Sequence, residues 1–315
     1  MSALLRLTLV FVTLAILGLA VLGWLARLHW FFDLFNHFRP QLLLASFGWA
    51  VAMLIARKWR LGGMTALALA LNAAAVLPGS LAKPAAARPA TRVLKVATIN
   101  VLIRNQQFGR FTAYLRETQP DVVFLQEASL PWKPTLAALK DLYPYQDHYE
   151  KPGGFFGLAV LSRFPIQESG LITLPPAPGN RALRATIEWQ DTSIPFLNLH
   201  MPHPRSKYGV WLYQSMQQGV LDWLGKQRSS GLRPMVIGDM NCTPWSILQE
   251  DFLKASALVE TSRSHWWSAT RHRGLPDQLL IDQLFHDAAW TCTHRAVGPA
   301  VGSDHRPVIF ELSLR

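Results

Sequence analysis

The sequence has little charge and little cysteine. Only 16% of its 315 residues are Asp, Glu, Lys or Arg, whereas 50% are hydrophobic, and a soluble domain usually carries about 25% charged residues. This composition excludes an intrinsically disordered chain, which combines high charge with few apolar residues. The cysteines are Cys242 and Cys292 alone, which excludes a disulfide-rich secreted scaffold. They allow one disulfide bond at most, and the sequence does not decide whether it forms.

Acidic residues are almost absent from the first quarter of the chain. Residues 1–82 contain one acid, Asp33, and six Lys or Arg. Three uncharged runs, at residues 7–26, 41–56 and 61–82, predict helices that cross a bilayer, at about 1.5 Å per residue. A cleaved signal peptide is the alternative for the first run, but its apolar region would be shorter. An interfacial or re-entrant helix is the alternative for the short second run. We therefore predict a membrane domain of three transmembrane helices over residues 1–82.

Basic residues predict the orientation of these helices, because Lys and Arg collect in cytoplasmic loops. Arg57, Lys58 and Arg60 lie between the second and third runs, and Arg6 precedes the first. With three spans, both positions fall on the same, cytoplasmic side. We therefore expect a multi-pass protein of a bacterial inner membrane, with the residues after 82 on the periplasmic or extracellular side. Residues 83–92 are rich in Pro and Ala and predict a short, semi-extended linker.

The remaining residues, 93–315, have the pattern of one globular α/β or α+β domain with a large sheet content. This part carries 25 Lys or Arg and 19 acids, a net charge of +6. Apolar periodicity predicts amphipathic helices over 108–118 and 208–228. Short apolar runs predict strands over 93–101, 121–127, 157–163, 182–189, 195–200, 234–241, 281–285, 290–294 and 307–314.

Uncommon polar residues of this domain fall at the ends of the predicted strands. Asn100, Glu127, His200 and Asp239 each lie at or near the end of an apolar run, and Asn241 follows Asp239 closely. A single residue of this kind usually belongs to a turn or cap. The repeated pattern of carboxylate, amide and imidazole instead predicts a site in the loop layer above a rigid scaffold.

Seven motifs in order connect the domain to a known family: ATINV (97–101), FLQE (124–127), AVLSRFP (159–165), LNLHMPH (197–203), GDMNCTPWS (238–246), IDQLF (281–285) and SDHRPV (303–308). With these motifs the domain resembles the endonuclease/exonuclease/phosphatase superfamily, the DNase-I-like metal-dependent phosphohydrolases. The resemblance covers most of residues 93–315. It implies a four-layer fold, in which a sandwich of two β-sheets is flanked by helices and carries the active site at one end.

The resemblance also implies a divalent metal. Glu127 matches the principal metal ligand, with Asn100 beside it, and Asp304 either ligates the metal or supports the site. Carboxylate and amide oxygens suit Mg²⁺ or Mn²⁺. The metal would polarise a phosphoryl oxygen and stabilise the leaving oxyanion.

Water activation and phosphate binding are implied for a second group of matched residues. Asp239 matches the base that orients and deprotonates the attacking water, and Asn241 would hydrogen-bond that water or the phosphate. His305 would stabilise charge on the transition state, with Asp282 holding its ring. His200 would donate to a phosphate oxygen, and Arg184 is a weaker candidate for support nearby. Asp239 and His305 are expected on loops at the rim rather than in the core, and no covalent intermediate is expected.

Departures from the family pattern are small. Met240 stands where the family often has an aromatic residue, and Gln283 where histidine is frequent. Neither change removes a catalytic group. A non-catalytic membrane adaptor is therefore disfavoured, because Glu127, Asp239 and the Asp282–His305 pair are intact.

Fold does not determine the substrate, and two enzymatic hypotheses remain. Some membrane-anchored bacterial members of the family are associated with lipid-phosphate hydrolysis, and anchoring helices would hold a site near lipid-linked phosphates. The alternative is a membrane-tethered nuclease that uses the +6 charge and a basic cluster to bind nucleic acid. Arg271 and Arg273 belong to this cluster, whose alternatives are a solvated loop or attraction to anionic lipid; its members are Arg263, His265, Arg271, His272 and Arg273.

Overall fold

The computed structural model describes residues 2–81, 92–150, 157–176, 179–274 and 276–314. Its amino-terminal part contains four helices, α1 (Ala3–Trp24), α2 (Trp30–Asp33), α3 (Arg39–Ile55) and α4 (Trp59–Leu81), with a 3-10 turn at Leu34–Phe38. Three helical segments are long and apolar enough to cross a membrane: Ala3–Trp24, Trp30–Ile55 and Trp59–Gly79. The prediction of three long apolar helices is confirmed.

The second helical segment begins well before the uncharged run that predicted it, because a charged residue is satisfied inside the bundle. Arg39 is 2% exposed. Its guanidinium donates to Asn36 Oδ1 at 2.9 Å, to the carbonyl oxygen of Ala20 at 3.0 Å and to Asn72 Oδ1 at 2.9 Å. A charge with this many partners does not end a helix, and Pro40 in the first turn removes no internal hydrogen bond.

The second part of the chain alternates strands and helices. Its helices are α5 (Phe108–Thr118), α6 (Lys133–Ala137), α7 (Lys207–Ser229) and α8 (Ile247–Ser256), with 3-10 turns at Leu130–Trp132 and Arg263–His265. The strands that the structure describes are β1 (Leu94–Asn100), β2 (Val122–Gln126), β3 (Tyr145–Glu150), β4 (Gly157–Ser162), β5 (Ile166–Thr173), β6 (Arg181–Trp189), β7 (Thr192–His200), β8 (Met235–Asp239), β9 (Val259–Glu260), β10 (Arg271–His272), β11 (Gln278–Leu279), β12 (Asp282–His286), β13 (Trp290–Val297) and β14 (Val308–Leu314).

These strands form two six-stranded mixed sheets and a small two-stranded one. The first sheet has the order β13-β14-β1-β2-β4-β3, the second has the order β5-β6-β7-β8-β12-β9, and β10 pairs with β11. In the first sheet β1 and β2 are parallel, and in the second β7 and β8 are parallel. Helices flank both sheets, so the predicted two-sheet sandwich is confirmed.

The core lies in three layers. Between the sheets, Phe124 packs against Phe196 with ring centroids 5.0 Å apart. Phe111 of α5 and Trp132 cover the outer face of the first sheet, and α7 and α8 cover the second with residues such as Trp223 and Phe252. Truncating a buried aromatic side chain of this kind typically costs about 3–5 kcal/mol.

The linker and the two cysteines remain to be described. The predicted linker, apart from Arg92, lies outside the described residues. Cys242 and Cys292 are both free thiols. Cys242 is buried among the side chains between α7, α8 and the second sheet, so it acts as a small core residue.

Strand direction and register bring the polar strand ends to one end of the sandwich. His200 pairs with Asp239 across the parallel strands β7 and β8, and Asp282 pairs with Asp239 across the antiparallel strands β8 and β12. The two sheets are joined at the same end, where Gln126 Nε2 donates to Asn198 Oδ1 at 2.7 Å. Each end residue is therefore held by a ladder of backbone hydrogen bonds.

Candidate active site

Asp239 is the centre of the polar cluster at this end. It is 1% exposed. Its Oδ1 accepts from the backbone N–H of Asn241 at 2.8 Å, and its Oδ2 accepts from Asn100 Nδ2 at 3.0 Å. Burial by itself would raise the pKa of Asp239, but the interactions with His305 and His200 outweigh it, and the pKa lies below its usual range. The carboxylate is thus kept ionised.

The backbone before Asp239 requires glycine. Gly238 has a φ of +137°, and a Cβ atom at this position would lie 2.0 Å from the carbonyl oxygen of Leu199. The close approach of β7 and β8 at this point therefore depends on the missing side chain. It sets His200 and Asp239 side by side, with His200 Nε2 3.6 Å from Asp239 Oδ2.

His305 and Asp282 form a buried pair against Asp239. His305 Nδ1 lies 3.0 Å from Asp282 Oδ1 and 2.9 Å from Oδ2, so this nitrogen carries the proton and donates. His305 Nε2 faces Asp239 Oδ2 at 3.7 Å. Burial would lower the pKa of His305, but Asp282 and Asp239 together raise it to about 9. The arrangement fixes both the tautomer and the ring orientation.

The loop that carries His305 is held by Ser303. The Ser303 hydroxyl donates to the carbonyl oxygen of Asn100 at 2.7 Å and accepts from the N–H of His305 at 3.0 Å. Asp282 is held from below, where its N–H donates to Thr270 Oγ1 at 3.0 Å. The expectation that Asp239 and His305 lie on loops at the rim rather than in the core is wrong. His305 is 5% exposed, and Asp239 is the buried last residue of β8. Hydrogen bonds supply the polar contacts that water would otherwise make.

Glu127 follows β2 in a left-handed backbone conformation, with a φ of +58°. Its Oε1 accepts from Asn100 Nδ2 at 3.0 Å, and its Oε2 accepts from the N–H of Ile103 at 2.9 Å. The amide oxygen of Asn100 accepts from the N–H of Leu102 at 3.0 Å. In this structure Asn100 therefore presents its nitrogen to both carboxylates and positions them. Its role as a metal ligand stays a prediction that requires the amide to turn.

Two sets of residues offer donors to a metal ion. Donor atoms of Asp239, Asp282 and His305 lie within 4.8 Å of one another, but both oxygens of Asp282 already face His305 Nδ1, so this set orients an imidazole. The other candidate donors are the carboxylates that the sequence analysis matched to the metal: Glu127, whose Oε1 lies 3.9 Å from His200 Nε2, and Asp304, whose Oδ2 pairs with Arg273. Asp304 Oδ1 is buried and has no hydrogen-bond partner among the described residues. An oxygen-only donor set with a buried, unpaired carboxylate oxygen fits Mg²⁺ or Mn²⁺.

The three arginines predicted to bind substrate lie in different places. Arg271 is 2% exposed and pairs with Asp277 at 3.1 Å, beside the His305 loop. Arg273 Nε lies 2.5 Å from Asp304 Oδ2 at the edge of the cluster. Arg184 is not brought to the cluster in this way, because its guanidinium pairs with Glu168 of β5 at 2.6 Å.

A cleft of about 690 Å³ opens beside Glu127, His200 and Asn241. Four polar residues that the sequence analysis did not select also border it: Glu150, Asn180, Arg181 and His203. His203 lies in the motif LNLHMPH, just after β7. Arg181 is the first residue of β6, which runs antiparallel to β7. The pairing of these two strands could therefore have identified His203 and Arg181 from the sequence. Burial lowers the pKa of His203, and the positive charge of Arg205 lowers it further, to about 4, so the ring is neutral. Apolar side chains complete the walls: Tyr149, Leu158, Leu171, Met201, Leu212 and Met216.

Known proteins similar to this chain were found by sequence and by fold. The chain is similar to an inositol phosphosphingolipids phospholipase C of Saccharomyces cerevisiae, with 28% identity over 162 residues, 45% of this chain and 34% of that protein. The match thus spans about a third of the yeast protein. Among solved structures, an endonuclease/exonuclease/phosphatase from Beutenbergia cavernae superposes with a TM-score of 0.58 and 21% identity, over 71% of this chain and 72% of that one. TDP2 from D. rerio, complexed with a single-strand DNA product, superposes with a TM-score of 0.57 and 17% identity, over 70% of this chain and 99% of that one.

The structural likenesses concern the fold, and the family is given by the sequence itself. The model of the Endonuclease/Exonuclease/phosphatase family matches residues 97–305, which is more than half of the chain and includes every residue of the polar cluster. The chain therefore belongs to the endonuclease/exonuclease/phosphatase family.

Proposed function

We propose that the protein is a membrane-anchored, divalent-metal-dependent phosphoric ester hydrolase. Members of the family are generally phosphoric ester hydrolases. The observation that carries the proposal is the meeting of Asp239, His200, Glu127 and the Asp282–His305 pair at one end of the sandwich. Such a set supplies a base, hydrogen-bond donors and metal-binding oxygens within one small space.

In the proposed reaction each side chain has a separate task. Asp239, held in place by Asn241 and Asn100, is placed to accept a proton from the attacking water. Since Asp282 occupies Nδ1 of His305, the other ring nitrogen is the one directed toward a bound phosphate. His200 Nε2 offers a second donor close by. These fixed donors stabilise the charge that develops on the phosphoryl oxygens.

Glu127 and Asp304 are the residues that would hold the metal, with Asn100 as a further ligand if its amide turns. A bound Mg²⁺ or Mn²⁺ supplies Lewis acidity at a phosphoryl oxygen and neutralises the leaving oxyanion. Arg273, which pairs with Asp304 Oδ2, offers a positive charge that would attract an anionic substrate to this side of the site.

The proposed substrate is a phosphate ester linked to a lipid. The cleft beside Glu127 is walled mainly by apolar side chains, including Leu212 and Met216 of α7. The same helix borders a second groove, where Val210 faces Leu28 and Trp30 of the segment that follows α1. The cleft therefore lies close to the end of the first candidate membrane span. Two exposed aromatic residues of α7, Tyr208 and Trp211, contact each other with ring centroids 5.4 Å apart, and exposed aromatic side chains are typical of a membrane interface.

In lipid vesicles, the full-length protein with Mg²⁺ is expected to hydrolyse a lipid-linked phosphate faster than plasmid DNA. The physical reason is that the apolar cleft and the nearby spans raise the local concentration of lipid relative to free polynucleotide. Initial rates should be measured on phospholipid, polyprenyl pyrophosphate, plasmid DNA, RNA and a soluble phosphodiester. Efficient cleavage of DNA without hydrolysis of any lipid phosphate would contradict this substrate.

A membrane-tethered nuclease is the second candidate. It is favoured by the net charge of +6 that residues 93–315 carry. It is disfavoured by the state of the basic cluster, because Arg271 is buried against Asp277 and Arg273 is neutralised by Asp304. Two of the five basic residues that were predicted to contact phosphate thus already pair with carboxylates.

We also propose that the catalytic part lies on the non-cytoplasmic side of a bacterial inner membrane. The segment between α1 and α3 contacts the catalytic part, with Arg27 Nη2 3.0 Å from Asp251 Oδ1. This contact supports a topology in which the first connecting segment and the catalytic part share one side of the membrane. Arg57 and Lys58 follow α3, at its opposite end.

Alkaline phosphatase fused after Arg315 is expected to be active in the bacterial host, since this enzyme requires export. A fusion after Lys58 should be inactive, because the turn between α3 and α4 carries the basic residues that stay in the cytoplasm. Colonies of the two fusions on a chromogenic substrate give the comparison. Activity only in the Lys58 fusion would reverse the proposed orientation.

A further inference from the structure

The loop that follows the catalytic strand β8 is bound by the segment between the first two candidate spans. Asp33, the one acidic residue of the first 82, is 5% exposed. Its carboxylate accepts from Ser246 Oγ at 2.5 Å and from the N–H of Ile247 at 3.0 Å. Ser246 is the N-cap of α8. A carboxylate is stabilised there by the unpaired N–H groups of the first turn.

His37 holds the same loop closer to the cluster. The N–H of Thr243 donates to His37 Nδ1 at 3.3 Å, and Thr243 Oγ1 lies 3.2 Å from the same nitrogen. Since Nδ1 accepts a hydrogen bond from the N–H of Thr243, the ring hydrogen is on Nε2. Two residues of the amino-terminal segment thus fix the loop at two points.

Two side chains of the catalytic part also hold the loop. Arg263 donates to the carbonyl oxygen of Pro244 at 3.1 and 2.5 Å. Gln283, where the family often has histidine, donates from Nε2 to the carbonyl oxygen of Cys242 at 2.6 Å. The loop is therefore clamped between the sandwich and the amino-terminal segment, and it is not a free connection.

This clamp adjoins the reacting groups. Asn241, whose N–H binds Asp239 and whose amide donates to the carbonyl oxygen of Met201 at 2.8 Å, has a φ of +47°. Only Cys242 separates Asn241 from Thr243. A shift of the clamped loop would therefore move Asn241 and loosen the hydrogen bond that aims Asp239. A displacement of about 1 Å in such a site can lower the rate a hundredfold.

We propose that Asp33 and His37 are positioning residues for the catalytic loop, residues 239–247. The amino-terminal helices then complete the support of the active site in addition to holding it at a membrane. The effect on turnover rests on the proposed hydrolase function, whereas the mechanical coupling does not. Deleting residues 1–82 would expose the start of α8 and remove both contacts, so a truncated chain would be less active even on a soluble substrate.

The test compares Asp33→Ala with Arg27→Ala in the full chain, in detergent micelles. Arg27 belongs to the same interface, where it pairs with Asp251 and Glu250 on the surface of α8, but it does not touch the loop. We expect Asp33→Ala to lower kcat on a soluble phosphodiester about tenfold while KM changes little, and Arg27→Ala to leave both unchanged. Asp33→Asn keeps the shape and one acceptor, so it should restore part of kcat.

Hydrogen exchange supplies a readout that does not need activity. In Asp33→Ala, amides of residues 240–249 should exchange faster, while those of β1 and β2 should keep their protection. Unchanged exchange in 240–249 would overturn the proposal, and so would faster exchange spread evenly over both sheets. If the wild-type chain hydrolyses no phosphodiester, the proposed function fails and exchange still decides the coupling. If Asp33→Ala does not fold, Ser246→Ala removes the partner hydroxyl and should show the same local effect.

Discussion

Replacing Asp239 with asparagine is expected to lower turnover about a thousandfold, within the range of a lost general base. The amide retains the size of the side chain and can still accept from the N–H of Asn241, but it cannot take a proton from water. Its NH₂ group would also face Asn100 Nδ2, a donor against a donor, so the free energy of unfolding should fall by about 1–3 kcal/mol. Steady-state kinetics on a soluble phosphodiester and thermal unfolding measure the two effects.

The matched control is Asp222→Asn, an exposed carboxylate on α7 that accepts from Gln218. It should leave turnover unchanged. Because Asp239 and His305 face one reacting centre, the double variant Asp239→Asn with His305→Ala should be little slower than either single variant. Equal rates in the wild type and Asp239→Asn would show that the base is another group.

Removal of divalent metal is expected to abolish activity, and Mg²⁺ or Mn²⁺ should restore it. Glu127 and Asp304 offer only oxygen atoms, and without a cation their charges repel an incoming phosphate. Glu127→Gln removes one of these charges, so the half-saturating Mg²⁺ concentration should rise by roughly tenfold or more. Titration of EDTA-treated protein with Mg²⁺ measures this concentration, and thermal unfolding in EDTA reports whether the fold survives.

Glu188→Gln serves as the control for this substitution, since Glu188 is exposed at the far end of β6. Its Mg²⁺ requirement should equal that of the wild type. Full activity in excess chelator would refute the metal-dependent mechanism altogether. An unchanged Mg²⁺ requirement in Glu127→Gln would instead remove Glu127 from the metal site and leave the donor set to be sought elsewhere.

Local sequence patterns predicted the helices and strands whose apolar residues repeat at the spacing of that element. The helix predicted over 108–118 is α5, because Phe111, Tyr114 and Leu115 repeat at helical spacing on its buried face. Buried strands such as β2 were equally clear, since all their residues are apolar or buried. The strand β3 was missed because its sequence, YQDHYE, is polar and lies at a sheet edge, where one side needs no apolar cover. The helix α8 was also missed, although Ser246 caps its start locally and Leu248 and Phe252 repeat at helical spacing on its buried face.

The sequence by itself determined the family, the sandwich and most members of the polar cluster. The ordered motifs indicated the family, and carboxylate, amide and imidazole side chains at strand ends meet where the strands share an end, as Asn100, Glu127, His200 and Asp239 do. Tertiary structure alone decided that Arg184 pairs with Glu168, that Arg271 is buried against Asp277, and that both cysteines are free. It also decided that Asp33 and His37 bind the catalytic loop more than 200 residues away in sequence. The physical reason is that strand ends are placed by local periodicity and regular pairing, whereas ion pairs and caps between distant segments depend on how the segments finally pack.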